Sequence, residues 1–332
     1  MMKLTVIPGD GIGPEIMTQV IRVLKHVHAP FEYEEHQAGE IALQTLGDLL
    51  PEKTVQSINQ TRLAIKGPTT TPIGGGHKSI NVTMRQKFDL YANVRPVRSL
   101  PGVECVCKDV NLTIVRENTE DLYAGIERMV DENTAESIKR ITRKGSERIA
   151  RYAYDLAQKT SKSKVAIVHK ANIMKMSDGL FLKVAQEVGW QYPNIATKDV
   201  IVDNACMQLV TKPQQFEVIV TENLYGDILS DLCAGLVGGL GVVPGANIGD
   251  KAAIFEAVHG SAPDIAGQNK ANPTALLQSA VMMLQHIGET AKADAIMHAL
   301  IAALSDINCR TGDLGGKGTT VSFTDAIIQK LN

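Results

Sequence analysis

The chain has 332 residues, 44% of them hydrophobic and 21% charged, a length that suits about two domains with cores needing no crosslinks. Thirty-four Lys and Arg against 36 Asp and Glu leave a net charge of −2, without the basic excess of a surface that coats nucleic acid. No apolar run approaches the roughly 18 residues that cross a bilayer. Pro8, Gly9 and Asp10 interrupt the N-terminal apolar stretch before a signal-peptide core could form. The expectation is a soluble, cytoplasmic protein with no membrane or nucleic-acid partner.

Short β-branched runs alternate with longer amphipathic stretches, which reads as α/β. In chain order, Leu4–Ile7 reads as a strand, followed by a glycine turn and a helix opening near Pro14-Glu15. Leu63–Lys66 is a short strand stopped by Gly67-Pro68; Leu90–Arg95 and Asn111–Arg116 are strands ending in arginine. Val165–His169 and Phe216–Thr221 read as buried strands, and helices are predicted over 137–159, 274–287 and 290–304. Glycine clusters at Gly74-Gly75-Gly76, Gly235 to Gly249 and Gly312 to Gly318 punctuate the chain, with no repeat and no flexible linker. A second domain would therefore be inserted within the first. The five cysteines (Cys105, Cys107, Cys206, Cys233, Cys309) make neither a disulfide framework nor a zinc spacing.

Gly9-Asp10-Gly11-Ile12-Gly13 follows a strand as a dinucleotide fingerprint would, but Pro14 stands where the third glycine belongs. No convincing second strand closed by an acid is legible about 20 residues later, so the Rossmann reading is rejected. Asp227 and Asp231 lie four apart, on one face of a helix, with Asp203 after Val200-Ile201-Val202. Such carboxylates suit Mg²⁺ or Mn²⁺, although an isolated D-x-x-x-D is more often a solvated acidic face. Arg85, Arg95 and Arg116, with Ser79 and Asn81 nearby, would suit a ligand bearing several carboxylates; taken singly, each arginine is an ordinary surface residue. Lys170 and Asn172 follow a buried strand, where a lysine can transfer protons, and Tyr123 is a candidate partner acid or a packing residue. The polar loop His259-Gly260-Ser261-Ala262-Pro263-Asp264 can offer backbone N–H groups to phosphates, or can be a plain surface loop.

Taken together, these segments resemble the β-decarboxylating dehydrogenases, the isocitrate and isopropylmalate dehydrogenase family, from Gly9 to Asp313-Leu314-Gly315-Gly316. Asn223-Leu224-Tyr225-Gly226-Asp227-Ile228-Leu229-Ser230-Asp231 looks like the family's metal segment. The resemblance implies a non-Rossmann α/β fold, with a large domain built from both chain ends (1–95 and 240–332). A smaller inserted α/β domain (96–239) would carry the metal aspartates, the dimer interface and a reduced dimer arm near 121–142. Ser79-Ile80-Asn81 and Arg85 are similar to the isocitrate-type pattern around the distal carboxylate, whereas isopropylmalate enzymes present apolar residues there. Arg116-Glu117-Asn118 with Asp121-Leu122-Tyr123 points the same way. NADP-using members carry lysine and tyrosine where this chain has Asp264-Ile265, and a carboxylate there would repel a 2′-phosphate, which favours NAD.

The implied reaction is NAD-dependent oxidative decarboxylation of isocitrate to 2-oxoglutarate and CO₂, with Mg²⁺ or Mn²⁺ on Asp203, Asp227 and Asp231. Arg85, Arg95, Arg116, Ser79, Asn81 and Asn172 would bind substrate, and Lys170 and Tyr123 would handle protons in roles that can be exchanged. His259, Gly260, Ala262, Asp264, Ile265, Asn272 and Asp313 would hold NAD. The family forms homodimers or assemblies of dimers, in which Lys170, Asn172 and Asp203 reach into the partner's site. Ser79 matches a position phosphorylated in some bacterial relatives. Two alternatives stay open: a family member acting on homoisocitrate, isopropylmalate or tartrate, and a non-catalytic regulatory subunit.

Overall fold

The computed structural model describes residues 1–71 and 78–331; the cluster Gly74-Gly75-Gly76 lies outside them. Strand β1 (Met2–Ile7) leads into helix α1 (Gly13–His26), and β2 (Phe31–Glu35) returns parallel to β1. Pro14 opens α1 with Glu15 in its first turn, and Ile16, Val20, Val23 and Leu24 recur at helical spacing on its buried face. Strand β2 corrects the sequence reading. A second parallel strand ending in Glu34-Glu35 does follow the glycine turn, but it is an edge strand in which Phe31 alone is buried, so it shows no apolar run.

Helices α2 (Glu40–Leu46) and α3 (Glu52–Thr61) precede β3 (Leu63–Lys66), which is buried throughout. After α4 (Ile80–Lys87), strands β4 (Ala92–Arg98) and β5 (Asn111–Glu117) form an antiparallel ladder. Arg95 is thus interior to its strand, which continues through Pro96 to Arg98. An exposed hairpin follows, β6 (Glu127–Asp131) and β7 (Thr134–Ser137). Helix α5 (Arg143–Lys159) starts later than predicted because the Thr142 hydroxyl caps it, accepting from Gly145 N–H at 3.0 Å, while Thr134–Ser137 pair with β6.

The order continues β8 (Lys164–His169), α6 (Ser177–Gly189), β9 (Ala196–Ile201), α7 (Val202–Thr211), β10 (Val218–Thr221) and α8 (Asn223–Leu236). Phe216 falls in the turn before β10. Val202, the last residue of the run Val200-Ile201-Val202, opens α7 and puts Asp203 in its first turn. Strands β11 (Pro244–Ile248) and β12 (Ala253–Ala257) precede α9 (Thr274–His286), α10 (Thr290–Leu304) and α11 (Thr320–Gln329). β11 sits at the end of a glycine-rich stretch that reads only as punctuation in the sequence.

Among the described residues, ten strands form one sheet in the order β2-β1-β3-β12-β11-β4-β5-β10-β8-β9. Pairing is parallel on both flanks and antiparallel at β12–β11, β11–β4 and β4–β5. The six strands from β2 to β4 come from both ends of the chain, and the four from β5 to β9 from its middle. Register places Lys66 opposite Glu256, Asn247 opposite Asn93, and Asn93 opposite Arg116. Partners in register share a face, as do residues two apart on one strand. Arg95 therefore shares the face of Asn93, and a polar strip crosses the middle of an otherwise apolar sheet. No helix among the described residues is long and apolar enough to cross a membrane.

Candidate active site

A cavity of about 280 Å³ opens over this strip, with Arg85, Arg95, Arg116, Ser79, Asn81, Tyr123, Asp227, His259 and Gly260 among its lining residues. Ser79 caps α4, and Asn81 and Arg85 follow one helical turn apart on the same face. The Asn81 side-chain carbonyl accepts from Thr69 Oγ1 at 3.2 Å. Arg85 is buried, its Nε has no hydrogen-bond partner, and its nearest carboxylate, Glu256, is 3.8 Å away. Burial, with repulsion from Arg116 and Arg95, holds its guanidinium down at about 10.

The other two arginines are anchored. Arg95 donates to Asn93 Oδ1 (2.8 Å), Ser230 Oγ (2.5 Å) and Asp231 Oδ1 (3.1 Å). Arg116 donates to Asn223 Oδ1 (2.8 and 3.0 Å) and to Asp227 Oδ1 (2.5 Å). Gly226 explains how α8 lies so close, because a Cβ there would stand 2.4 Å from Arg116 Cγ. Tyr123, on a 3₁₀ turn, stands 5.0 Å below the Arg116 guanidinium and donates to Asp227 Oδ2 at 2.6 Å. Burial and that bond raise the Tyr123 hydroxyl, keeping its proton in place at neutral pH. Burial alone would raise Asp227, but Arg116, the Tyr123 hydrogen bond and Arg95 outweigh it and hold the carboxyl below its usual range.

The structure divides the predicted residues. Lys170 pairs with Asp203, and both, with Asn172, stand outside the cavity of their own chain. Asp203 does not join Asp227 and Asp231: among the described residues no three Asp, Glu, His or Cys side chains converge as a metal cluster. The trio expected from sequence is therefore not assembled by one chain. Asp227 and Asp231, a helical turn apart and 39% and 56% exposed, are hard oxygen donors open to solvent. That donor set fits part of a Mg²⁺ or Mn²⁺ site, the remaining ligands coming from elsewhere.

The residues expected to hold NAD also divide. His259 and Gly260 reach the cavity; the His259 Nδ1 lies 2.9 Å from Gly260 O, and its buried Nε2 has no partner. Burial lowers this imidazole, favouring the neutral ring. Ala262 adopts a left-handed conformation before a 3₁₀ turn that carries exposed Asp264 and half-buried Ile265. Asn272 donates to Asp313 Oδ2 at 2.9 Å. An orphaned ring nitrogen at the cavity and an exposed carboxylate on the following turn fit a ribose-bearing cofactor. The Gly9–Gly13 turn does not hold phosphate: its Asp10, Ile12 and Gly13 N–H groups already donate to Pro68, Ser261 and Asp10 carbonyls at 2.7–2.9 Å. A Cβ on Gly11 would meet Ser261 O at 1.9 Å, so this turn buttresses the His259 loop.

Sequence reasoning missed the floor beneath the arginines. Lys66 pairs with Glu256 at 2.8 Å, and Asn247 donates to Glu256 Oε1 (2.7 Å) while accepting from Asn93 (2.8 Å) and Asn118 (3.0 Å). The one available signal was Lys66 itself, a cation closing an apolar strand.

These features define an α/β protein with a tri-arginine cavity bordered by paired carboxylates. A family model for isocitrate/isopropylmalate dehydrogenase matches residues 3–329, and the chain belongs to that family. It is 49% identical over 332 residues to a regulatory subunit of mitochondrial isocitrate dehydrogenase [NAD] from Dictyostelium discoideum, covering 100% of this chain and 92% of that protein. It is 50% identical to the catalytic subunit 5 of Arabidopsis thaliana isocitrate dehydrogenase [NAD], over 98% of this chain and 88% of that one. It is also 50% identical to isocitrate dehydrogenase [NADP] of Thermus thermophilus, over 99% and 67%. The crystal structure of isocitrate dehydrogenase from Methylococcus capsulatus superposes with a TM-score of 0.96 at 50% identity, covering 100% of this chain and 99% of that one.

Proposed function

We propose that the protein oxidises isocitrate with NAD and releases 2-oxoglutarate and CO₂. The observation that carries this reading is the convergence of Arg85, Arg95 and Arg116 with Ser79 and Asn81 on one cavity. Three cations suit a tricarboxylate, and the polar face of α4 would be left unpaired by a branched alkyl substituent. Arg85, free of a close partner, would take one substrate carboxylate, with Ser79 and Asn81 beside it; Arg95 and Arg116 would orient the others. A divalent cation at Asp227 and Asp231, when bound, supplies Lewis acidity, and NAD supplies the hydride acceptor. Tyr123 keeps its hydroxyl proton at neutral pH, which supports a role for its Oη as the acid that protonates the carbon that loses CO₂.

Lys170 is the group for the substrate hydroxyl proton, delivered to a neighbouring copy's cavity together with Asn172 and Asp203. That arrangement makes the homodimer the working unit, with Asp203 completing the metal carboxylates. Residues 1–95 and 240–332 would form the larger domain and 96–239 the inserted one, its β6–β7 hairpin serving as the dimer arm. NAD preference rests on Asp264, whose charge disfavours a 2′-phosphate.

Initial rates of the purified chain with Mg²⁺, on isocitrate, homoisocitrate, isopropylmalate and tartrate, each with NAD and NADP, test the reading. A preference for isopropylmalate defeats the substrate assignment, and a preference for NADP defeats the role of Asp264. The likeness to a regulatory subunit favours a second reading, that the chain works only beside a catalytic partner. No turnover by the chain alone, restored by adding a catalytic relative, would establish it.

A further inference from the structure

A second buried polar cluster lies away from the cavity, and its side chains are none of those given a role above, although it holds the Lys170 backbone. Lys139, two residues beyond the β6–β7 hairpin, donates to Asp178 Oδ1 and to Glu222 Oε2, each at 2.6 Å, and lies 4.4 Å from the Tyr225 ring centre. Asp178 and Glu222 are 0% and 1% exposed. The second oxygen of Asp178 accepts the backbone N–H of Lys170 at 2.7 Å and the Tyr225 hydroxyl at 3.1 Å. Glu222 stands at the N-cap position of α8, the helix that carries Asp227 and Asp231. The hairpin root is fixed beside Lys139 by pairing of Asp121 with Arg140, and the Asp121 carboxylate also accepts Leu224 N–H at 2.8 Å. One ammonium thus joins the hairpin, the Lys170 turn and the first turn of the aspartate helix.

We propose that Lys139 is a positioning residue that, through Asp178 and Glu222, fixes the Lys170 backbone relative to the aspartates of α8. This rests on the roles given above to Lys170 and to the α8 aspartates. The distances support it: Asp178 is bonded at once to Lys139, to Lys170 N–H and to Tyr225. Without the ammonium, two buried carboxyl groups would lose the donor between them, and the Lys170 turn would lose its registration.

The test uses the assembly that the chain forms in solution, comparing the wild type with Lys139→Met and Lys139→Arg. Two readouts are taken: steady-state kinetics, and amide hydrogen exchange in peptides covering 168–176, 222–229 and, as a control, 274–286. The expected result for Lys139→Met is a fall in kcat of about tenfold or more, with KM for isocitrate changed less than about threefold. Exchange should rise at 168–176 and 222–229 but not at 274–286, and Lys139→Arg should restore both readouts. Should Lys139→Met not fold, Lys139→Met/Glu222→Gln removes one of the two stranded carboxylates, leaves the Asp178 bond to Lys170 N–H in place, and is read in the same way. Unchanged exchange at both peptides, or faster exchange throughout the chain, overturns the proposal. The exchange readout needs no substrate, so a wild type inactive on isocitrate would sink the functional reading and leave this one to be judged by exchange.

Discussion

Arg85→Met separates the two sides of a cationic cavity, what it costs the fold and what it gives the ligand. In the free protein Arg85 is buried beside two other guanidiniums, has no carboxylate nearer than 3.8 Å, and leaves its Nε unpaired. Burial and the neighbouring guanidiniums hold it down at about 10, which corresponds to an unfavourable environment of about 3 kcal/mol. Methionine fills similar space without charge, so the variant should be more stable than the parent by about 1–3 kcal/mol in the absence of substrate. Catalysis should move the opposite way. Removing one partner of a desolvated charge pair costs about 2–5 kcal/mol, which is a loss of about 30-fold to about 4,000-fold in kcat/KM for isocitrate. Urea unfolding without ligand, and initial rates, measure the two effects on one preparation. A variant that is less stable than the parent by more than about 1 kcal/mol, or one that keeps kcat/KM within threefold, would refute the idea that Arg85 is held in reserve for an anion.

Tyr123→Phe removes the hydroxyl that donates to Asp227 at 2.6 Å; kcat should fall by about 10²–10⁴ with little change in KM, and stopped-flow traces should show hydride transfer less affected than overall turnover. Glu256→Gln breaks the buried pair with Lys66 and should destabilise the protein by about 3 kcal/mol at pH 7. Burial alone would raise the Glu256 carboxyl, but Lys66 and Arg85 hold it at about 2, below its unfolded value. Its stabilisation is therefore complete above about pH 4.5 and is lost as pH falls toward 2. Acid unfolding curves should show a shallower loss over that interval in Glu256→Gln, and parallel curves would contradict the assignment. Gly226→Ala puts a methyl group 2.4 Å from Arg116 Cγ, so kcat/KM should drop at least tenfold and melting temperature should fall; a neutral substitution would mean that α8 does not need this close approach.

What the sequence disclosed and what it hid follow from how each residue meets water. Strands β3, β8 and β10 are apolar because they are buried on both faces and so stand out in a linear reading. Strands β2 and β9 lie at the two ends of the sheet order and carry charged residues that are half or fully exposed, so their pattern looks like that of a loop. The arginines and aspartates were legible as residue types and, for the aspartates, at helical spacing, although Arg95 was read as a strand end and lies inside β4; their convergence depends on register, which no local pattern specifies. Register also hides Glu256 and Asn247: each is a single polar residue within a strand of small or apolar ones, and only cross-strand pairing lines them up with Lys66 and Asn93. Lys170 and Asp203 show the opposite limit. Both were singled out from sequence, and the single chain pairs them with each other away from the cavity. Lys170 follows β8 on a turn that Asp178 holds by accepting the Lys170 backbone N–H, whereas Asp203 stands in the first turn of α7, so their pairing joins two elements that no local pattern in the sequence connects.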